Sequence, residues 1–218
     1  MTVQTPARDT RVGRRKARTR QALVDAAKRI LATRGTTDIS IQEITDEADI
    51  GFGSFYNYFD TKSELFATAV GEVLDAYGAE LDAASESTDD WAERYAIGVR
   101  LTSRLAVDQP AVAKILAVSG TRYLLSDSGL APRARRDIEQ GLATGRFDVG
   151  STDVALVNTA GCMIAFVSVQ MDAPDKLSED DADELAEQLL RMLGLSANDA
   201  HEVAHRPLPE LPPIAAAP

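Results

Sequence analysis

Ser40-Ile-Gln-Glu43 and Thr61-Lys-Ser-Glu64 both follow the capping-box pattern, a hydroxyl residue with a carboxylate three positions later. In such a box the hydroxyl takes an orphan amide of the first helical turn, and the carboxylate reaches back to the cap. Each box fixes a helix start, and the space between them holds only two short helices and a turn. Ile41, Ile44 and Ala48 give the first short helix an inward stripe. Asp49-Ile50-Gly51 makes a tight turn, and a second short helix is predicted from about Phe52 to Tyr58, where Asp60-Thr61 breaks it. The helix opened by the second box is long, with Leu65, Phe66, Ala69, Val70, Val73, Leu74 and Tyr77 on its inward face.

Upstream, Leu23, Ala26, Ala27, Ile30 and Leu31 recur at i, i+3, i+4, i+7 and i+8. That period predicts one helix over 14–34 with a single buried stripe, stopped by Gly35. Residues 1–13 have no apolar period and read as a flexible basic arm. Downstream, helical patterns fall near 89–107, 110–118, 131–144, 151–171 and 179–194, with a further turn of helix around 120–126. No alternating pattern suggests a strand. The chain is therefore expected to be all-α. Its parts are a three-helix, helix-turn-helix domain over 14–60, a helical body over 61–195, and a tail over 196–218. Five prolines in that tail, at 207, 209, 212, 213 and 218, predict disorder.

Charge divides along the same line. Residues 1–34 carry ten Lys/Arg against Asp9 and Asp25, whereas residues 71–218 carry 12 Lys/Arg against 25 Asp/Glu, within a net charge of -11. Such an asymmetry suits an N-terminus that meets a polyanion and a body that repels it. In a helix-turn-helix the second short helix enters the major groove and the first crosses the backbone. Here the second offers Ser54, Tyr56, Asn57 and Tyr58 outward while Phe55 and Phe59, four apart, turn inward. Hydroxyls and amides serve phosphate oxygens and base edges. Gly51 and Gly53 permit close backbone approach, and Lys62 puts a cation at a helix N-terminus, where phosphate binds well. The candidate contacts to double-stranded DNA are Arg14, Arg15, Arg18, Ser40, Gln42, Phe52, Gly53, Ser54, Tyr56, Asn57, Tyr58 and Lys62.

Four stretches carry a family resemblance: Leu23-Val-Asp-Ala-Ala27, Ile41-Gln-Glu-Ile-Thr-Asp-Glu-Ala48, Gly53-Ser-Phe-Tyr-Asn-Tyr-Phe59 and Lys62-Ser-Glu-Leu65. Together they resemble the DNA-binding head of the TetR family of transcriptional regulators, over roughly a quarter of the chain. The resemblance implies a repressor that binds a palindromic operator as a homodimer and is released by a small-molecule effector. It makes Tyr56 and Lys62 phosphate contacts and places Ser54 where a Thr or Ser touches DNA. Three positions depart from the family: Asp49 stands where Gly is usual, Gly51 where a polar residue is usual, and Phe52 where a charged or polar one is frequent. Phe52 is thereby a candidate for thymine methyl groups, and the basic segment Arg11 to Arg20 gains weight in affinity.

The body offers two further expectations. Residues 154–169 are apolar almost all round, which requires cover on both sides. The resemblance implies that the last two long helices pair with their copies, so Val157, Ala160, Gly161, Ile164, Ala165, Leu185, Leu189 and Met192 are the candidate dimer interface. Trp91, Tyr95, Tyr123, Met163, Phe166 and Met171 can line an apolar cavity for a small apolar or amphipathic effector. Arg100, Arg104 and Arg122 are the cations available to an acidic ligand. Plain core packing and solvated charge compete with these readings.

His201-Glu-Val-Ala-His205 matches H-E-x-x-H, the zinc motif of metal-dependent hydrolases. Arg206-Pro207 ends its helix at once, and no walled cleft is apparent around it. No catalytic residue, metal or cofactor is assigned, although the two histidines leave metal uptake open. A helical scaffold that binds protein only is the remaining alternative. One cysteine, Cys162, excludes an intramolecular disulfide and suits a reducing cytoplasm. The apolar run 160–169 is far shorter than a membrane span, so no membrane partner is expected.

Overall fold

The computed structural model describes residues 11–119 and 127–209. Among the described residues there is no strand. Helix α1 spans Arg11–Arg34, α2 Ile41–Glu47, a 3₁₀ helix Phe52–Asn57, and α3 Lys62–Ala84. The body continues with α4 (Trp91–Ser103), α5 (Leu105–Asp108), α6 (Pro110–Ser119), α7 (Ala131–Ala143), α8 (Thr152–Asp172), α9 (Glu179–Met192) and α10 (Ala197–Ala204).

Both capping sites form. The Ser40 hydroxyl takes the Glu43 amide at 3.1 Å and the Glu43 carboxylate takes the Ser40 amide at 3.1 Å. At α3, the Thr61 hydroxyl takes the Glu64 amide at 3.1 Å, while the Glu64 carboxylate accepts from the amide of Asp60. α1 begins at Arg11, before the expected start at 14, so the end of the expected arm is helix. Residues 1–10 and the turn expected over 120–126 lie outside the described residues.

One apolar cluster joins head and body. Leu23, Ala27 and Leu31 of α1, Ile44 of α2, and Phe55 and Phe59 around the 3₁₀ helix bury against Leu65 and Phe66 of α3. The same cluster runs on through Leu74 and Tyr77 to Ile115 and Leu116 of α6 and Val167 of α8. The cluster thus crosses the division expected at residue 60, with α3 lying just beyond it, and α6 packs directly on α1. A second cluster holds the far end of the body: Ala92, Tyr95 and Val99 of α4, Ile138 of α7, Leu156 of α8, and Leu189 and Leu190 of α9.

The disordered tail expected from residue 196 is corrected by α10. Ser196 caps it, its hydroxyl taking the Asp199 amide at 3.3 Å, and Ala200, Val203 and Ala204 are buried in the second cluster. Arg146 of the α7–α8 loop bonds Asp199 at one end of α10 and Asp90 ahead of α4, while Arg206 reaches Glu93 at 2.8 Å. The prolines of the tail begin only at Pro207, after this helix has ended. Residues 210–218 lie outside the described residues.

The apolar stretch of the sequence becomes α8, 21 residues with a mean hydropathy of 1.7 over its most apolar window, long and apolar enough by those measures to cross a membrane. One face packs on α4, α6 and α7. Along the other, Val154 is 59% exposed, Val157 46% and Val169 42%, with Gly161 and exposed Ala165 between them.

Candidate nucleic-acid interface

Of the ten cations counted at the N-terminal end, the later ones are engaged within the head. Lys28 pairs with Glu72 of α3 at 2.7 Å, Arg29 with Glu47 of α2 at 2.8 Å, and Arg34 with Glu43 at 3.1 Å. These bonds clamp α1 onto α2 and α3. In the first turns of α1, Arg14, Arg15, Lys16 and Arg18 are all exposed. Arg20 turns the other way and lays its guanidinium 4.7 Å from the Phe59 ring centroid.

The turn between the two short helices bends through Asp49, whose φ of +54° is the left-handed conformation. Aspartate tolerates that region better than most residues, which explains how it stands in a position suited to glycine. The short helix expected after the turn forms, as a 3₁₀ helix over Phe52–Asn57. Phe55 is fully buried and Phe59 nearly so, while Tyr56 is 57% and Phe52 48% exposed. Arg15, Lys16 and Thr19 of α1 and Asp49, Gly51, Ser54, Asn57 and Tyr58 line one cleft. The basic start of α1 and the polar edge of the 3₁₀ helix thus form a single surface, with Asp49 as its carboxylate.

Four candidates are placed differently from their simplest reading. Tyr58 is half-buried against the head core. Lys62 donates its ammonium to the Ile39 carbonyl at 2.7 Å and ties α3 to the α1–α2 loop, which occupies one of its three donors. Ser40 is used as a cap, and Gln42 donates to Asp46 on its own helix at 2.6 Å. Gly53 lies exposed on the 3₁₀ helix, and a Cβ there would meet nothing within 4 Å.

Within the body, two adjoining cavities of about 60 and 70 Å³ share Leu130, Ala134, Thr159 and Met163. The first adds polar and charged groups, Tyr95, Arg94, Arg133, Asp82 and Asp137, to an apolar wall that includes Leu81 and Val99; the second is lined by Leu74, Leu116, Leu156 and Ile164. The Tyr95 and Thr159 hydroxyls bond at 2.6 Å. Arg133 and Arg136 both bond Asp82, at 2.9 and 2.8 Å, and Arg136 bonds Asp137 at 2.7 Å. Burial pushes the Asp137 carboxyl above the ordinary range, against the pull of Arg136. At Asp82 burial also pushes upward, but the two arginines outweigh it and hold the carboxyl low.

The expected cavity set needs correction. Tyr95 and Met163 line the cavities; Trp91, Phe166 and Met171 do not. Trp91 carries the Arg94 guanidinium 5.1 Å from its ring centroid, Phe166 is buried core, and Met171 packs against the head-side cluster. Arg100 and Arg104 are engaged by α9: Arg100 grips both oxygens of Asp183, at 2.7 and 3.1 Å, and Arg104 bonds the same carboxylate at 3.1 Å. Arg122 and Tyr123 lie outside the described residues. The sequence reading missed Asp82, Arg94, Arg133 and Asp137, because only tertiary pairing between α3, α4 and α7 distinguishes them from a solvated charged face.

The candidate interface divides as well. Val157 and Ala165 of α8 and Met192 of α9 are exposed, Ala160, Gly161, Ile164 and Leu185 are half-buried, and Leu189 is 2% exposed in the body core. A cleft of about 470 Å³ lies between α8 and α9, lined by Val154, Asn158, Leu189 and Met192.

Comparison with known proteins agrees with this arrangement. Residues 23–69 match the family model for bacterial regulatory proteins of the tetR family, and residues 90–206 match the tetracyclin repressor-like C-terminal domain. The HTH-type transcriptional regulator BetI of Brucella anthropi is 32% identical over 77 residues, which is 35% of this chain and 40% of that protein. The chain thus spans about 40% of the length of such curated relatives. Solved structures extend the likeness to the body. RolR bound to resorcinol is 33% identical with a TM-score of 0.77, covering 91% of this chain and 99% of that one. Ligand-free RolR is 34% identical with a TM-score of 0.71, covering 88% and 100%.

Proposed function

The chain belongs to the TetR family of bacterial transcriptional regulators, and from that premise we propose that it is a repressor that grips a near-palindromic operator as a homodimer and releases it when a small phenolic molecule enters the body. The observation that carries the first half is the cleft shared by α1 and the 3₁₀ helix. Arg15 and Lys16 supply cations for phosphates, Ser54 and Asn57 supply donors and acceptors, and exposed Phe52 supplies an apolar surface for thymine methyls. Two-fold protein symmetry calls for two-fold DNA, with half-sites about one helical turn apart or a little more.

The homodimer rests on the outer stripe of α8. Val154, Val157, Gly161, Ala165 and Val169 follow one another at three or four residues, so they share one face, and Met192 of α9 is exposed as well. For α8 to span a membrane the whole helix would have to leave its packing on α4, α6 and α7. A second copy of the same stripe covers it without unfolding anything.

The effector class follows from the cavities. A ring with hydroxyl substituents places its apolar body against Leu116, Leu156 and Met163 and its polar edge toward Tyr95, Arg133 and Asp137. The similar protein RolR was solved with resorcinol, which has this chemistry. Two helices connect that cavity to the head. α6 contributes Leu116 and Ser119 to the wall and packs on α1, while α3 contributes Leu74 and carries Leu65 and Phe66 into the head core. α3 is about 34 Å long at 1.5 Å per residue, so a small tilt at the cavity end displaces the head by ångströms. For a 100-fold loss of operator affinity the ligand must favour the released shape by about 2.7 kcal/mol, and DNA must weaken the ligand equally.

Duplexes selected from a random pool and titrated by fluorescence anisotropy test the proposal. Preferred duplexes should be palindromic, and resorcinol-class diols should release them. Fatty-acyl compounds acting instead would keep the repressor and replace the effector class.

A further inference from the structure

The H-E-x-x-H sequence lies on the ordered helix α10. Because α10 packs on α9, His201 and His205 stand beside Glu187, and one ligand atom from each of the three lies within 4.8 Å of the others. The two histidines are four apart, on consecutive turns, with ring centroids 4.2 Å apart. His201 Nδ1 lies 2.8 Å from the Glu187 carboxylate, and His205 Nδ1 lies 2.8 Å from the His201 carbonyl.

Those second partners decide which nitrogens are available. A carboxylate and a carbonyl only accept, so both Nδ1 atoms carry the hydrogen, and in the neutral rings both Nε2 atoms carry the lone pair. A metal-ligating histidine has the same arrangement, its other ring N–H given to a carboxylate or backbone carbonyl that fixes the ring and raises its basicity. The Glu187 side chain is only 15% exposed while that of His201 is 64% exposed, so the orienting group is held and the ligating edge faces solvent.

We propose that His201 and His205 form a divalent transition-metal site through their Nε2 atoms, with Glu187 as its positioning residue and water completing the coordination. Imidazole pairs suit Zn²⁺, Ni²⁺ and Cu²⁺. Metal–nitrogen bonds of about 2.0–2.1 Å bring two tetrahedral ligands to about 3.3 Å, a spacing that rings with centroids 4.2 Å apart reach by rotation. Their exposure allows that rotation. The motif's own glutamate takes no part: Glu202 pairs with Arg206 at 3.3 Å. Bound metal pins α10, and through Glu187 the helix α9, without touching the DNA-binding head.

Calorimetric titration of the untagged full chain with Zn²⁺, and separately with Ni²⁺, tests this. The expected result is one saturable ion per chain with micromolar affinity and a rise in thermal midpoint. His201→Ala and His205→Ala should each weaken binding at least tenfold and abolish that rise. Glu187→Gln should weaken it less, and Glu202→Gln should leave it unchanged. Circular dichroism and operator binding, unaltered in the histidine variants, would show that the fold is intact. Absence of saturable binding overturns the proposal, as does an affinity that survives loss of either histidine.

Discussion

The Arg20 guanidinium sits 4.7 Å from the centroid of the Phe59 ring, so a cation of the basic helix is stacked on the residue that anchors the 3₁₀ helix. Contacts of this type contribute about 0.5–1 kcal/mol at exposed sites and about 2 when desolvated. Arg20 is half-buried. Arg20→Ala should lower the unfolding free energy by about 1 kcal/mol in a urea titration and weaken operator binding. Arg20→Lys should recover part of the stability.

Asp49 combines a left-handed backbone with a negative charge in the cleft proposed to meet DNA. Asp49→Gly removes both the steric cost and the repulsion. It should leave stability within about 0.5 kcal/mol, since glycine also loses more entropy on folding, and it should tighten operator binding at low salt. Asp49→Val should destabilise by about 1–2 kcal/mol, because a branched side chain resists positive φ.

Gly161 lies within the outer stripe of α8, and a Cβ added there meets nothing within 4 Å. Gly161→Arg therefore leaves the protomer's own packing intact but puts a long cation in the proposed close contact between copies. Sedimentation should show a monomer whose helical dichroism is unchanged. A variant that stays dimeric moves the interface away from this helix.

Ending the chain after Ser196 removes the buried side chains of Ala200, Val203 and Ala204 and uncovers part of the second cluster. Burial of one valine contributes about 1.5–3 kcal/mol, so the truncated chain should unfold at a clearly lower urea concentration. The ion pairs of α10 add an acid limb. Bonds from Arg146 hold the Asp199 carboxyl low; at Asp90 burial pushes upward, but the Arg146 bonds and the Ala92 amide outweigh it. Lowered carboxyls stabilise the fold above their unfolded value of about 3.9 and lose that contribution as pH falls through the lower folded value. Arg146→Met should remove this contribution, leaving the variant less stable than the parent near neutral pH and with a smaller loss of stability below about pH 4.

Most of the head was legible because its determinants are local. Ser40, Glu43, Thr61 and Glu64 fix helix starts through bonds no longer than four residues, and the spacing of Phe55 and Phe59 sets which face is buried. The 3₁₀ geometry was not legible, since it depends on how a six-residue segment seats Phe55, and the turn after it Phe59, in a core built by α1 and α3. The cavity was legible only at Tyr95 and Met163. Arg133 and Arg136 read as surface charge until α7 is laid against Asp82, more than 50 residues away in sequence. For α10 a signal was present: Ser196 with Asp199 three residues later is the pattern that marks α2, outweighed by the prolines downstream of it.

The salt dependence of binding to a selected palindromic duplex reports whether the cleft between α1 and the 3₁₀ helix grips DNA. Each phosphate contact contributes about 0.9 to the slope of log affinity against log salt on duplex DNA. If Arg15 and Lys16 meet phosphates beside a base-reading 3₁₀ helix, replacing both with alanine should flatten the slope by about 1.8 and weaken all duplexes alike, whereas Asn57→Ala or Phe52→Ala should change which duplex is preferred. An unchanged slope, together with no duplex preferred over random DNA by the parent chain, would mean that this cleft does not read an operator.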